Sequence, residues 1–432
     1  MSRTSTLAVS ATVSLASFAA WGDFYVSPTG SDTGLGTKAQ PFATVARARD
    51  AVRELRQDSA LPADGLTVHL RGGTYALDTT LTFTADDSGA PGAPIGYQAA
   101  KGEEVWLSGG TTVPATLFRQ VIDPALLKSL PPEARGHVLQ VRLTDAAVPG
   151  DVDQLPDVFS GFTGAEPQLL EVFCNGRQMQ CARWPNDGFA KFTEIVDPGS
   201  GLRDYVAKRE GRLRPGVFRY EGDRPERWDV NRGVWMMGFW ARAYVCDAVR
   251  AGKIDTAKKE ITWAVPLGFG LDTWGANRWY AFNLPEKLDT PGEWYLDRQR
   301  GALYFWPPAP MGKCTVLLTR LKEPMVQCTD ASPLIFRGIG FEGGRGDAVV
   351  VTKGRGVELV GCEIRNVGRD AVRVLGGHEH KVIGGDIHHV GYSGVILSGG
   401  DRQTLDPANH EAVNNHVYHT NQVKRIHASP SS

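Results

Sequence analysis

The chain is poor in cysteine, and what it has follows no ligand spacing. Six cysteines, Cys174, Cys181, Cys246, Cys314, Cys328 and Cys362, are scattered over 432 residues without a CxxC or a Cys/His cluster. That pattern excludes a zinc-finger-like site, and no metal or other cofactor is expected. Charge bias is missing as well. With 47 basic against 48 acidic residues the net charge is -1, so there is no basic stripe for nucleic acid and no pull toward anionic membranes. No segment reaches the roughly 18 uninterrupted apolar residues of a membrane span. The fingerprints GxSxG, HExxH, the P-loop and the dinucleotide-binding glycines are all absent, which removes the chemistries they serve.

Glycine is abundant, at 50 residues, and suits a chain that turns often. The ordering principle is a repeat of 23 residues from Val316 to Leu397. Val316 and Leu318 recur as Ile339 and Phe341, as Cys362 and Ile364, and as Gly385 and Ile387. A second register runs Val326, Val349, Val372, Val395, with Cys328, Val351, Val374 and Leu397 two places on. Spacing by two marks strand faces, so each repeat is read as two short strands divided by turns such as Gly343-Gly344 and Asn366-Val367-Gly368. A period in the low twenties with β-branched columns points to a parallel β-solenoid, whose coils bury their apolar faces by stacking.

Four segments are expected. Residues 1–22 have one charge, Arg3, an apolar run from Leu7 to Ala20, and small residues ahead of Asp23, the pattern of a secretory signal. Export to a secreted, periplasmic or cell-surface location follows. Residues 23–110 hold an amphipathic helix from Thr44 to Arg56, suited to capping a solenoid, and the first coils at Leu66 to Arg71, Leu81 to Thr84, Ile95 to Ala99 and Val105 to Leu107. Residues 111–313 lose the repeat and carry nine of the eleven tryptophans. They read as an inserted antiparallel β-sandwich, with a type I′ hairpin at Asn175-Gly176. Residues 314–432 are the remaining coils. From Gly385 to Asn415 the spacing grows to 30, because a polar loop, Gly399 to Pro407, projects from the stack. A further rung would begin beyond Ser432, so the coil domain is expected to be incomplete at its C-terminus. The fold class is all-β: a right-handed parallel β-helix with an inserted sandwich and an N-terminal capping helix.

Eight of the ten histidines lie between His378 and His427. Asn366, His389 and His419 form one outward column beside Arg365, His388 and Tyr418. Stacked rings and amides spaced about 4.8 Å per rung make a sugar-binding surface, with a solvated turn column as the alternative. Asn415 opens the last recognisable rung and belongs to the same surface. Asp347 and Asp370 align one rung apart, near the ~5 Å spacing of a retaining glycosidase pair, though nearby Arg345 and Arg369 and the turn-capping habit of Asp favour a structural role. Asp401 and Arg402 in the projecting loop are a pair able to grip vicinal hydroxyls or to form a surface salt bridge. Asp401 is also a catalytic candidate. Among the tryptophans, most read as core, while Trp274 and Trp279 are candidates for a sugar-stacking wall.

Several stretches carry a resemblance. Phe24-Tyr25-Val26-Ser27-Pro28 with Pro41-Phe42 is similar to the N-terminal cap of secreted right-handed β-helix proteins. Cys174-Asn175-Gly176-Arg177, Ala182-Arg183-Trp184-Pro185-Asn186, the run from Leu288 to Asp297 and Leu303-Tyr304-Phe305-Trp306-Pro307 resemble β-helical glycoside hydrolases. The family resembled is the one containing α-L-fucosidases and xylanases, glycoside hydrolase family 141, with the β-helical β-xylosidases next. The resemblance implies a two-carboxylate hydrolase of plant or algal polysaccharide, acting on fucoside or xyloside linkages as a monomer. Its catalytic acids are expected in later coils, and no catalytic pair matches here. A polysaccharide lyase and a non-catalytic glycan-binding surface solenoid are the alternatives.

Overall fold

The computed structural model describes residues 23–58, 61–146, 148, 155–160, 168–201, 208–272, 274 and 277–425. The leader segment 1–22 lies outside them. The described chain is mostly β, with α-helices at Val45–Asp58 and Pro124–Ser129, and none of its described helices is long and apolar enough to cross a membrane.

Three all-parallel sheets stack the coils. The first begins with Phe24–Val26, Leu66–Leu70 and Ile95–Ala99 and continues through Leu334–Arg337, Val357–Val360, Lys381–Ile383 and Glu411–Val413. The second holds Gly73–Ala76, Val105–Ser108, Gly340–Glu342, Glu363–Val367, Asp386–Val390 and His416–Tyr418. The third holds Leu81–Phe83, Val326–Thr329, Val349–Thr352, Val372–Leu375 and Val395–Ser398. Each full coil therefore has three strands, where the repeat reads as two. The unread strand is the one in the first sheet, whose inward residues Leu334 and Phe336, then Val357 and Leu359, are buried as thoroughly as those of the other two. One apolar cluster runs through all three sheets.

The start of the repeat also shifts. Val316–Thr319 pairs antiparallel with Gly110–Val113 and with Val172–Cys174, so it is not a coil strand. The true neighbour of Phe341 on the preceding coil is Leu107. Likewise Val326 and Cys328 pair with Leu81 and Phe83. One coil is thus split: its first two strands come from residues 95–108 and its third from Val326–Thr329. The insertion leaves from the corner between the second and third sheets and returns to it.

That corner is tight. On the following coils it is turned by Gly368 and Gly391, where a Cβ would come within 2.5 Å of the Arg345 carbonyl oxygen and 2.0 Å of the Gly368 carbonyl oxygen. Only glycine lets the chain approach the coil beneath so closely. At the N-terminal end the helix Val45–Asp58 starts where Thr44 Oγ1 accepts from the Arg47 amide at 3.1 Å, and its face Val45, Ala48, Ala51, Val52 joins the coil core.

Within the insertion, the hairpin at Asn175-Gly176 has both residues at positive φ, 52° and 75°, with Cys174 opposite Arg177. A four-stranded and a five-stranded sheet share one apolar cluster, and a nine-stranded sheet packs a second around Trp240, Trp263 and Trp279.

Candidate functional site

The outward face of the second sheet gathers the polar chemistry of the coils. Phe341, Ile364 and Ile387 point inward and are buried, so the residues flanking them point out. One outward column runs Ser108, Glu342, Arg365, His388, Tyr418. The other runs Trp106, Gly340, Glu363, Asp386, His416. Arg365 ties them together. Its guanidinium lies 3.9 Å from the Trp106 ring centroid, its Nε donates to Glu342 Oε2 at 3.1 Å, and its Nη1 donates to Glu363 Oε1 at 3.0 Å. His388 Nε2 is 3.5 Å from the same Glu363 oxygen, and His416 Nδ1 is 3.2 Å from Asp386 Oδ1. Tyr418 stacks on both imidazoles, with centroids 4.9 Å from His388 and 4.4 Å from His416.

Glu363 and Asp386 are in-register partners on adjacent parallel strands. Their backbones are therefore about 4.8 Å apart, with both carboxylates on the solvent side and the His388 and His416 imidazoles beside them. Two carboxyl groups at that scale, beside stacked aromatics, are the arrangement that glycosyl transfer to water employs. Arginine and imidazole contacts orient the acids and supply hydrogen-bond donors.

The column Asn366, His389, His419 borders this face. All three sit in the left-handed region, at φ 55°, 52° and 49°, where Asn and His are the non-glycine residues most often tolerated. Their identity thus answers a backbone demand first. Asn366 faces outward but is covered by the insertion and so is closed to solvent: its Nδ2 donates to the Gly176 carbonyl at 3.1 Å and pins the insertion's hairpin to the coils. His389 and His419 remain partly open, with ring centroids 4.8 Å apart and planes tilted by 45°, and His388 and His389 share a 2.7 Å hydrogen bond between Nδ1 atoms. Burial, with His388 next, holds the His389 imidazole below its ordinary value, so it is a neutral partner at neutral pH.

The other sequence candidates lie apart from this face. Asp347 and Asp370 are buried in the corner turns, where Asp347 Oδ1 accepts from the Asp370 amide at 3.1 Å and Asp370 Oδ1 from the Ser393 amide at 2.8 Å. Arg373 donates to Asp347 Oδ2 at 3.0 Å. These carboxylates stitch one rung to the next. Asn415 does the same, accepting from Gly385 N and donating to Val382 O, both at 2.8 Å. Asp401 and Arg402 are exposed on the corner that leads from the third sheet to the first. Asp401 Oδ1 accepts from Gln403 N at 2.7 Å and Thr404 N at 3.3 Å, closing its own loop, and those amides hold its carboxyl below the usual range. Trp279 is fully buried among Trp184, Trp228 and Trp240, which leaves its ring no face for a sugar. Trp274 is 82% exposed, with Arg242 5.5 Å from its ring centroid, on the insertion. Among the described residues no group of three or more His, Cys, Asp or Glu is placed to hold a metal ion.

The fold resembles that of a solved glycoside hydrolase. The two chains superpose with a TM-score of 0.68 over 93% of this chain and 74% of that one, at 17% identity, a likeness of architecture. No family model matches the chain. A stretch of 89 residues is 39% identical to the uncharacterized protein YwoF of Bacillus subtilis (strain 168), covering 20% of this chain and 16% of that protein. A stretch of 87 residues is 38% identical to the pectate lyase PEL9 of Emericella nidulans, covering 20% of this chain and 18% of the lyase. The matched stretches thus span less than a fifth of each of these two relatives.

Glu342, Glu363, Asp386, Trp106 and His416 are not among the residues singled out by sequence. Glu342, Glu363 and Asp386 lie in the same 23-residue register that reveals the repeat, next to the inward Phe341, Ile364 and Ile387, whereas Trp106 lies across the insertion and His416 follows a 30-residue spacing, so the period does not reach them.

Proposed function

We propose that the chain is an exported carbohydrate-active β-helix protein that hydrolyses glycosidic bonds of plant or algal polysaccharide, of the fucoside or xyloside class. The observation that carries this reading is the in-register pair Glu363 and Asp386 on the solvent face of the second sheet, flanked by the Trp106, His388, Tyr418 and His416 rings. One carboxyl protonates the leaving oxygen while the other attacks the anomeric carbon or activates water for that attack, and the stacked rings bind the sugar faces. Arg365 and His388 hold Glu363 in position, and His416 holds Asp386. The helix at the N-terminal end covers the first coil, the coils wind to the right, and residues 111–313 form a separate unit beside the sugar-binding face.

The architecture shared with a solved glycoside hydrolase and the local identity to a pectate lyase support a polysaccharide as the partner. Aryl fucosides, aryl xylosides and a polysaccharide panel test the reading by reducing-sugar release. Glu363→Gln and Asp386→Asn are each expected to lower kcat by at least about a hundredfold while leaving the thermal midpoint near that of the parent. Release that persists at the parent rate in both variants, or no release from any substrate, would overturn it.

A further inference from the structure

A recess lies between the insertion and the segment that follows His416–Tyr418. It is a cleft of about 320 Å³, large enough for one sugar ring, and both parts of the chain line it: Glu171, Arg183, Tyr280 and Arg298 from the insertion, Gln422 and Arg425 from the coil side. We propose that this cleft seats the anionic group of an acidic saccharide, a carboxylate or a sulfate ester. The inference deepens the carbohydrate-active reading above and rests on it.

The charge of the lining points to an anion. Three guanidinium groups face one carboxyl group. Arg183 lies 3.6 Å and Arg425 5.8 Å from the centroid of the same Tyr280 ring, so two cations crowd one aromatic residue. Arg183 is fixed there, because its Nε donates to the Pro185 carbonyl at 2.8 Å and its Nη2 to that of Gly188. Burial first, then Arg425, lowers its affinity for its proton, while Tyr280 and Asp187 act the other way. Arg298 is held 5.2 Å from the Trp235 ring centroid. A planar guanidinium recognises carboxylate and sulfate oxygens in pairs, and the amide of Gln178 at the same cleft suits a hydroxyl.

Glu171 does not cancel this charge below neutrality. It is only 7% exposed, and burial pushes its carboxyl up to about 7 against the smaller effects of the Gln178 amide, bonded at 2.5 Å, and of Arg345. The other groups that titrate at the cleft, the Cys181 thiol and the Tyr280 phenol, are raised by burial and stay neutral across that range. A bound anion therefore meets a neutral Glu171 at pH 6 and a carboxylate at pH 8.

Calorimetric titration of the full chain with oligogalacturonate, a sulfated galactan oligosaccharide and a neutral xylo-oligosaccharide tests the proposal. One of the two acidic ligands is expected to bind at least about tenfold more tightly than the neutral one, which identifies the group as carboxylate or sulfate. Arg425→Ala, a substitution at an exposed position, should remove that preference, and Arg425→Lys should keep part of it. Affinity for the acidic ligand should fall from pH 6 to pH 8 in the parent and stay level in Glu171→Gln. Equal binding of acidic and neutral ligands, or an Arg425→Ala variant that binds the acidic ligand like the parent, overturns the proposal. In that event continued cleavage or binding of neutral substrate leaves the carbohydrate-active reading standing, and its loss across all ligands takes both down.

Discussion

His380 shows how a histidine in this chain becomes structural. Its Nδ1 accepts from the Val357 amide at 3.1 Å while its Nε2 faces the Lys353 carbonyl at 3.0 Å, an arrangement that needs the neutral Nε2-protonated ring. The side chain is buried and stacks on His410 at 5.0 Å. Burial first, then the His410 and His378 charges, pushes its pKa from 6.5 down to about 4. A folded-state value below the unfolded one means that the stabilisation is complete above about pH 6.5 and is lost as pH falls toward 4. Over that window the loss approaches roughly 3 kcal/mol. His389 and His410 are shifted the same way, so the contrast with a His380→Asn variant isolates this ring. Thermal melts at pH 7 and pH 4.5 should fall less in the variant than in the parent, and parallel curves would refute the assignment. The uneven crowding of histidine was visible in sequence. Which rings were spoken for was not, because His378, His380 and His410 gather at one corner and His388, His389, His416 and His419 at the second sheet only once three strands per coil are counted.

At the scale of elements, the corner between the second and third sheets is held by a polar ladder. Asp347, Asp370 and Ser393 stack in register, and each carboxylate accepts the backbone amide of the next rung, with Arg369 3.5 Å from Asp347 and Arg373 3.6 Å from Asp370. Burial raises the Asp370 carboxyl, partly offset by its hydrogen bond from Ser393. Replacing Asp370 by Ala leaves the Ser393 amide without its acceptor in a buried turn, at a cost of about 1–3 kcal/mol. Asp370→Asn keeps an acceptor oxygen and should recover most of that. Urea unfolding of the three proteins measures the difference, and a catalytic rather than structural Asp370 would instead give a stable variant without activity. The columns themselves were legible because β-branched residues repeat every 23 positions. Within the repeat, the first-sheet column Leu334, Val357 is continued by the polar His380, and Lys381–Ile383 buries one residue, Val382, so the third coil offers almost no alternation to detect. The carboxylates Glu363 and Asp386 were hidden differently: outward positions vary in type from coil to coil, and only the register of their inward neighbours locates them.

For the whole molecule, the split coil is the feature that sequence periodicity could not locate, because Val316 and Leu318 fall in phase with Ile339 and Phe341 while pairing with Gly110–Val113 instead. The third strand of that coil is separated from its first two by the entire insertion, so closing it early in folding would mean ordering a very long loop. The geometry removes that difficulty. Thr319 is the in-register partner of Gly110, and the Leu321 amide donates to the Gly109 carbonyl at 2.7 Å, so a folded insertion delivers its two ends side by side at the corner where the coil must close. This arrangement predicts that the insertion folds before the split coil and that its ends are bridgeable. Replacing residues 111–318 with a Gly/Ser linker of a few residues removes the wait for the insertion to fold and leaves only a short loop to close. The shortened chain is expected to retain a β-type circular dichroism spectrum and cooperative urea unfolding, and to refold faster than the parent. It should also lose the arginine-lined cleft and with it any preference for acidic ligands. Refolding no faster than the parent would mean that the insertion is not what the split coil waits for, and an unfolded product would mean that its packing against Asn366 is needed to hold the corner together.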